Sequence, residues 1–187
     1  MQTAVLDASV LFRNGVRDFL LWVAEAGAFT PAWSDRIHEE WMRNRRNRFS
    51  DPMEAILHAK TQLEYAFPGA NFEPDPVALQ TILLPDPDDV HVVATAISAE
   101  ADTIVTYNES DFPNDVLALV GLRKETPDLF CARIFAETQI EFIEGARLHR
   151  ASLKKPPYDR GPYLDHVESR LGLRLTANLL RPFHDGL

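Results

Sequence analysis

The sequence predicts an α/β fold with a central parallel sheet, and two observations favour this class. Short apolar runs at Thr3–Leu6 and Thr103–Thr106 are typical of buried strands, and amphipathic helix patterns lie between them. Strands that alternate with helices indicate a parallel sheet covered on both faces. The 187 residues, of which 45% are hydrophobic, suffice for one cored domain with a small appendage.

The first half of the chain begins with a strand, because the apolar run starts at once. Apolar residues at helical spacing then predict a long amphipathic helix, which Gly27 ends. Ser34 is a good N-cap for the next long helix. The predicted elements are a strand Thr3–Leu6, a helix Val10–Ala26, a strand Ala28–Trp33, a helix from Ser34 to about Arg48, a helix from Asp51-Pro52 to about Phe67, and a short helix within Pro74–Leu84.

The second half continues the alternation. Asp86-Pro87 has the form of a helix start, and Thr138-Gln139-Ile140-Glu141 has the form of a capping box. The predicted elements are a helix from Asp86-Pro87 through Ile97, a strand Thr103–Thr106, a further strand within Leu117–Leu122, a helix Pro127–Phe135 and a helix from Thr138 to about Leu153.

The C-terminal part is predicted to be a helical extension. Lys154-Lys155-Pro156-Pro157 has the composition of a linker, and an amphipathic stripe follows it at Tyr163, Leu164, Val167 and Leu171. This tail is either an arm packed on the domain or a partner-binding element. We expect a main domain over residues 1–137 and a helical extension over residues 138–187.

Composition limits the classes of function. The formal net charge of −9 argues against a general binder of nucleic acid or anionic membrane, but a nuclease that uses metal ions remains open. The single cysteine, Cys131, excludes an internal disulfide, and its expected role is a small buried apolar side chain. The N-terminus has no secretory pattern, and the longest apolar run, Phe19–Ala24, is too short to span a membrane. We therefore expect a soluble, cytoplasmic protein with no membrane partner.

Acidic residues cluster where the predicted strands end and the helices begin. Asp7 follows the first strand, Asp86, Asp88 and Asp89 begin a helix, and Asp111 follows the strand that ends at Thr106. Ligands of open α/β sheets collect outside the carboxyl ends of the strands. Carboxylates that converge there repel one another and are normally held by a divalent cation. The alternative is that these acids are helix caps and loop residues.

Two adjacent glutamates must be distinguished. On the helix that begins at Ser34, Glu40 lies at the edge of the apolar stripe, whereas Glu39 points to the opposite side. A carboxylate at the border of a buried face needs a compensating interaction, which a metal site supplies. We therefore favour Glu40, although the sequence alone does not exclude Glu39.

Basic residues follow Glu40 on the same helix. They are either a solvated helix end, where cations are favourable, or a grip on phosphate beside the acidic pocket. The cluster consists of Arg43, Arg45, Arg46 and Arg48.

Four segments in order resemble the PIN-domain family. They are Asp7-Ala8-Ser9-Val10-Leu11, Trp33-Ser34 leading to Glu40, Asp88-Asp89-Val90-His91-Val92, and Ile104-Val105-Thr106-Tyr107-Asn108 followed by Asp111-Phe112-Pro113. The likeness runs from Met1 to about Phe135 and is greatest to bacterial toxin ribonucleases of the VapC type.

The resemblance implies a three-layer α/β/α fold and four carboxylates that bind Mg²⁺ or Mn²⁺. Carried over position by position, these are Asp7, Glu40, Asp89 and Asp111. Thr106 and Asn108 would be supporting polar residues. It also implies an RNA substrate, a cognate antitoxin and a homodimer. The stretch after about residue 138 is longer than a minimal domain of this kind, so these partner contacts do not transfer simply.

Three other functions remain open at this point. The same acids could serve a metal-dependent phosphatase or DNA nuclease. The fold could be a binding module without turnover. The acids could also be plain caps and surface charge, in which case neutralising Asp7 or Asp89 would leave stability and metal affinity nearly unchanged.

Overall fold

A computed structural model of the protein describes residues 2–154 and 157–187. The linker predicted at Lys154–Pro157 lies partly outside the described residues, because Lys155 and Pro156 are not among them. In the described part of the chain, one four-stranded sheet has the strand order β2-β1-β3-β4. The strands are β1 (Thr3–Leu6), β2 (Thr30–Ala32), β3 (Thr103–Val105) and β4 (Arg123–Glu125).

The sheet is parallel, and its register aligns the ends of the strands. Leu6 pairs with Val105, and Val105 in turn pairs with Glu125. β1 and β3 are almost completely buried, which agrees with their unbroken apolar sequences. The predicted α/β class with a central parallel sheet and C-terminal helices is therefore confirmed.

The helices account for most of the chain. They are α1 (Ala8–Leu11), α2 (Asn14–Glu25), α3 (Asp35–Phe49), α4 (Met53–Ala66), α5 (Ala78–Thr81), α6 (Val90–Ser98), α7 (Asn114–Leu119), α8 (Pro127–Glu137), α9 (Gln139–Ser152), α10 (Arg160–Ser169) and α11 (Arg174–Leu180). Short 3₁₀ turns cover Pro87–Asp89, Glu109–Asp111 and Arg181–Gly186. No helix formed by residues 2–154 or 157–187 is both long enough and apolar enough to cross a bilayer.

Contacts group the chain into two compact units. The sheet unit comprises Gln2–Arg13 and Pro31–Glu125, and the helical unit comprises Asn14–Thr30 and Thr126–Leu187. A domain boundary at residue 137 stays a prediction.

The sheet unit is built around its two central strands. α6 packs on β1 and on β3, and α3 packs against α1, α4 and α6. Ser34 caps α3 as predicted, since its side-chain oxygen accepts a hydrogen bond from the Ile37 amide at 3.4 Å. Trp41 is buried on the inner face of this helix. The cap and the buried tryptophan together hold α3 in place, and α3 carries Glu40.

The helical unit is held by aromatic packing and by one long-range cap. Phe29 and Phe130 meet edge to face with ring centroids 4.9 Å apart. Asp128 on α8 accepts hydrogen bonds from the amides of Leu175 at 2.9 Å and Thr176 at 3.0 Å. That carboxylate satisfies the N-terminal amides of α11, so the C-terminal tail packs within its own unit.

Three predicted elements differ from the observed ones. The helix predicted over Val10–Ala26 is broken into α1 and α2 near Phe12, whose carbonyl accepts a hydrogen bond from Arg45 Nη1 at 3.2 Å. The strand predicted within Leu117–Leu122 is wrong, because Asn114–Leu119 is helical and the strand comes later, as the polar β4 at the sheet edge. The helix within Pro74–Leu84 is only the four residues of α5.

The capping box predicted at Thr138 does not form. Its hydroxyl donates to the Ile134 carbonyl of the preceding helix at 2.9 Å instead of accepting from the amides of α9. α8 and α9 follow each other without a gap, so the nearest acceptor belongs to the helix that is ending.

Gly145 permits the close approach of α9 to α2, and we predict that Gly145→Ala destabilises the protein by about 2 kcal/mol. A Cβ there would lie 2.5 Å from the Val23 Cα and 2.8 Å from the Trp22 carbonyl oxygen. This overlap with backbone outweighs the helix preference of alanine, which favours the substitution by about 1 kcal/mol. Urea denaturation measures the change.

The matched control is Gly161→Ala in α10, where an added Cβ meets nothing within 4 Å. We expect this variant to be as stable as the wild type or slightly more so. Equal effects of the two substitutions would contradict the packing argument.

Candidate functional site

Asp7 lies at the junction of β1 and α1 and is almost completely buried, with 3% of its surface exposed. Its Oδ1 accepts a hydrogen bond from the Ala8 amide at 2.7 Å. Its Oδ2 accepts from Ser9 Oγ at 2.6 Å and from Thr106 Oγ1 at 2.8 Å. Asp7 is thus an N-cap, as one interpretation of the sequence held, but it is also tied to the end of β3.

The two hydroxyls continue the network into the loop after β3. Ser9 Oγ accepts a hydrogen bond from the Tyr107 amide at 3.1 Å, and Thr106 Oγ1 accepts one from the Asn108 amide at 2.9 Å. Thr106 therefore supports the carboxylate of Asp7 directly. Asn108 contributes its backbone amide, and its side chain is exposed.

Glu40 is half-buried on α3, whereas Glu39 is exposed. Oε2 of Glu40 lies 3.5 Å from Nε2 of His91, whose side chain is 3% exposed. The other ring nitrogen of His91, Nδ1, is buried and has no hydrogen-bond partner among the described residues. His91 therefore directs one nitrogen toward Glu40.

Asp89 and Asp111 each end a 3₁₀ turn and are half-buried. Asp89 occupies the N-cap position of α6, but its side chain makes no capping hydrogen bond. Asp86 does the capping, since it accepts from the Asp88 amide at 2.9 Å. Asp86 and Asp88 are exposed. The carboxylate of Asp89 is therefore not used to cap the helix it precedes.

The electrostatics couple these acids to one another. Burial raises the pKa of Asp7 above its usual range, against the hydrogen bonds from Ser9 and Thr106, and the charge of Glu40 adds to the increase. The pKa of Asp89 is raised to about 7, first by burial and then by the negative charges of Asp7, Glu40 and Asp111, with a smaller contribution from Asp86. The acids expected from separate segments thus lie within electrostatic range of Asp89.

The donor set suits a hard cation that keeps much of its water. Among the residues that the structure describes, no group of three or more His, Cys, Asp or Glu side chains is placed to hold a metal ion unaided. Mg²⁺ is usually bound by one or two carboxylates, with waters and substrate phosphate completing its octahedron. The mutual repulsion around Asp89 is what such a cation would relieve, and all the donors are oxygen atoms.

Two participants in this network were not singled out by the sequence analysis. Ser9 donates the shortest hydrogen bond to Asp7, and its position two residues after a strand-ending aspartate is a signal that could have identified it. His91 adjoins the acidic cluster in sequence, but only the structure places it against Glu40.

A family model described as PIN domain matches residues 2–110, which is more than half of the chain. No curated protein and no solved structure matches significantly.

We predict that ionisation of Asp89 lowers the free energy of unfolding of the metal-free protein as the pH rises from about 4 to 7, and that Asp89→Asn gains stability relative to the wild type over this window. The folded state retains the Asp89 proton up to about pH 7, whereas the unfolded chain releases it near 3.8. At this carboxyl the folded state therefore binds more protons in this window, so the contribution of Asp89 to the free energy of unfolding falls with rising pH. Burial lowers the pKa of His149 to about 4, which acts in the opposite direction, but it does so in both proteins and cancels in their comparison. At pH 8 in EDTA, we expect the free energy of unfolding of Asp89→Asn to exceed that of the wild type by about 1 kcal/mol. This value is reduced to allow for the partial exposure of Asp89 to solvent.

Urea denaturation at several pH values measures this difference. The matched control is Asp88→Asn, which removes an exposed neighbouring charge and should keep the slope of the wild type. Parallel curves for Asp89→Asn and the wild type would show that Asp89 titrates normally.

Proposed function

We propose that this chain, which belongs to the PIN-domain family, is a metal-dependent endoribonuclease. Family membership indicates a nuclease, that is, a hydrolase of phosphodiester bonds. The observation that carries the finer proposal is the raised pKa of Asp89, because three other acids from separate segments contribute to it. A cluster that repels itself in this way is suited to binding divalent cations.

Asp7, Glu40, Asp89 and Asp111 would hold Mg²⁺ or Mn²⁺. When bound, the ion would supply Lewis-acid chemistry, lowering the pKa of water and neutralising charge on phosphate oxygens. The overall reaction is hydrolysis, in which a water oxygen bonds to phosphorus, one P–O ester bond breaks and the leaving oxygen takes up a proton.

The chain itself contributes orientation and a proton site. Ala8, Ser9 and Thr106 fix both oxygens of Asp7, so its remaining lone pairs have a defined direction. Asp89 holds a proton near neutral pH and releases it when a cation enters, so metal affinity should rise with pH through about 7. No side-chain nucleophile is required, which agrees with the complete burial of Cys131.

RNA is the substrate we favour, because single strands and loops can bring their backbone into a recessed site. We further propose that the enzyme is the toxin of a cytoplasmic toxin–antitoxin pair and that it acts as a homodimer. Light scattering of the purified protein tests the dimer, and a monomer at all concentrations would exclude it.

We predict that the purified protein cleaves a labelled pool of structured RNA in Mn²⁺ or Mg²⁺ but not in EDTA. Asp89→Asn should lower the cleavage rate by about 100-fold or more, because it removes charge where the cation binds. Asp88→Asn and Glu39→Gln are matched controls on exposed neighbours and should retain activity, whereas Glu40→Gln should lose it.

Calorimetric titration with Mn²⁺ separates the alternatives. Metal binding without turnover would favour a binding module, and hydrolysis of DNA or small phosphate esters with RNA intact would favour the other enzyme class. Folded protein that neither cleaves RNA nor binds Mn²⁺ would refute the proposal. Cleavage that survives in Asp89→Asn would indicate a contaminant or the wrong acid.

We also predict that the antitoxin inhibits by inserting an arginine or lysine among the four carboxylates. The site carries an excess of negative charge, and a buried cationic side chain would offset it as a metal ion does. A small protein encoded beside this one should inhibit the RNase, and replacing its basic residue should weaken inhibition by about 10-fold or more. Failure of that protein to bind would count against the pairing.

A further inference from the structure

A cleft of about 520 Å³ opens beside Glu40 in the sheet unit. One part of its lining is a stripe on α3 formed by Glu40, Asn44, Asn47 and Arg48. These positions are spaced by four, seven and eight residues, so they share one helix face. The stripe leads from a proposed metal carboxylate to Arg48, about 12 Å further along the helix axis.

The loops that flank Asp7 supply the rest of the lining. Arg13 follows α1, and its guanidinium carbon lies 4.1 Å from the centroid of the Tyr107 ring. Both residues line the cleft, as do Phe12 and Asn108. The cleft therefore combines an aromatic face, a stacked guanidinium and several side-chain amides.

The charges in the cleft differ from those of the whole chain. Arg13 and Arg48 are exposed, and in the described part of the chain they lie over aromatic rings and not beside carboxylates. The guanidinium carbon of Arg48 is 5.8 Å from the ring centroids of both Phe12 and Phe49. Arg45, by contrast, is bound to Asp51 and to the Phe12 carbonyl, so it serves the fold. On a chain with net charge −9, two arginines without carboxylate partners in one cleft form a local attraction for an anion.

We propose that this cleft binds the single-stranded RNA segment next to the bond that is cut, an inference that rests on the proposed function. Arg48 and Arg13 contact phosphates of the strand. Tyr107, which lies beneath the guanidinium of Arg13, adds aromatic surface to the wall of the cleft, against which one base can pack. The amides of Asn44 and Asn47 bind base edges, since an amide both donates and accepts hydrogen bonds.

The division of roles has a consequence for sequence preference. Phosphate contacts are indifferent to base identity, whereas amide contacts depend on the pattern of donors and acceptors that each base presents. The arginines should therefore set affinity for all sequences, and the asparagines should set preference at one position of the strand.

The test is fluorescence anisotropy with labelled 12-nucleotide RNAs that lack secondary structure, in EDTA at low salt. We expect Arg48→Gln to raise the Kd about 5–10-fold for every sequence and to reduce the salt slope of binding by about 0.7. Arg43→Gln is the matched control, because Arg43 is exposed on the same helix and does not line the cleft. Asn47→Ala should raise the Kd most for the oligonucleotide that the wild type binds best, and so reduce the difference in Kd between the oligonucleotides.

Equal weakening by Arg43→Gln and Arg48→Gln would show general electrostatic attraction and overturn the cleft assignment, as would a Kd unaffected by Arg48→Gln. Thermal melting confirms that each variant is folded.

The binding assay contains no metal ion, so the cleft proposal and the nuclease proposal can fail separately. RNA that binds through Arg48 but is never cut would support the cleft and refute the nuclease. Cleavage whose KM does not change in Arg48→Gln would support the nuclease and refute the cleft.

Discussion

The burial of one carboxylate, that of Asp7, constrains the whole site. An ionised group removed from water must be compensated, and four hydrogen bonds do this for Asp7, donated by the amides of Ala8 and Ser9 and by the hydroxyls of Ser9 and Thr106. The hydroxyls of Ser9 and Thr106 in turn accept hydrogen bonds from the amides of Tyr107 and Asn108. The network around this one carboxylate therefore fixes both the turn after β1 and the loop after β3. Even with these bonds, burial still raises the pKa of Asp7. The site is therefore electrostatically costly in the free protein, and the surrounding sheet must hold it together.

The sequence predicts those parts of the fold whose structure depends on nearby residues, such as a buried apolar strand or a helix cap. Thr3–Leu6 is apolar on both faces and became a buried strand, and Ser34 has the right side chain and position to cap α3. The amphipathic argument also separated half-buried Glu40 from exposed Glu39. β4 could not be predicted in this way, because Arg-Lys-Glu at a sheet edge follows no apolar pattern. The capping box predicted at Thr138 was wrong for another reason, because the Ile134 carbonyl that accepts from its hydroxyl comes within reach only when α8 has formed.

The candidate site, like the fold, has features that local sequence predicts and features that depend on tertiary structure. The sequence alone indicates which acids lie near strand ends. It does not indicate which of these acids lie close enough to affect one another's charge. Asp86 and Asp89 are equivalent by composition, yet Asp86 caps the turn and Asp89 does not. That difference arises because the 3₁₀ turn at Pro87–Asp89 precedes α6, and it leaves the carboxylate of Asp89 to face other charges. Tertiary placement, not residue type, separates the capping acid from the candidate ligand.

The loose arrangement of the acids has its own consequence for the proposed nuclease. Because no three of the described acidic, histidine or cysteine side chains form a ready-made metal site, a cation there needs water or substrate phosphate to complete its coordination. Phosphate would then increase cation affinity, and by linkage the cation must increase affinity for the strand to the same degree. Arg13 and Arg48 attract the strand without metal, so the cleft can deliver the phosphate that the carboxylates alone would repel. An acidic protein can thus act on a polyanion, provided that arginines without carboxylate partners, such as Arg13 and Arg48 here, lie beside the acidic site.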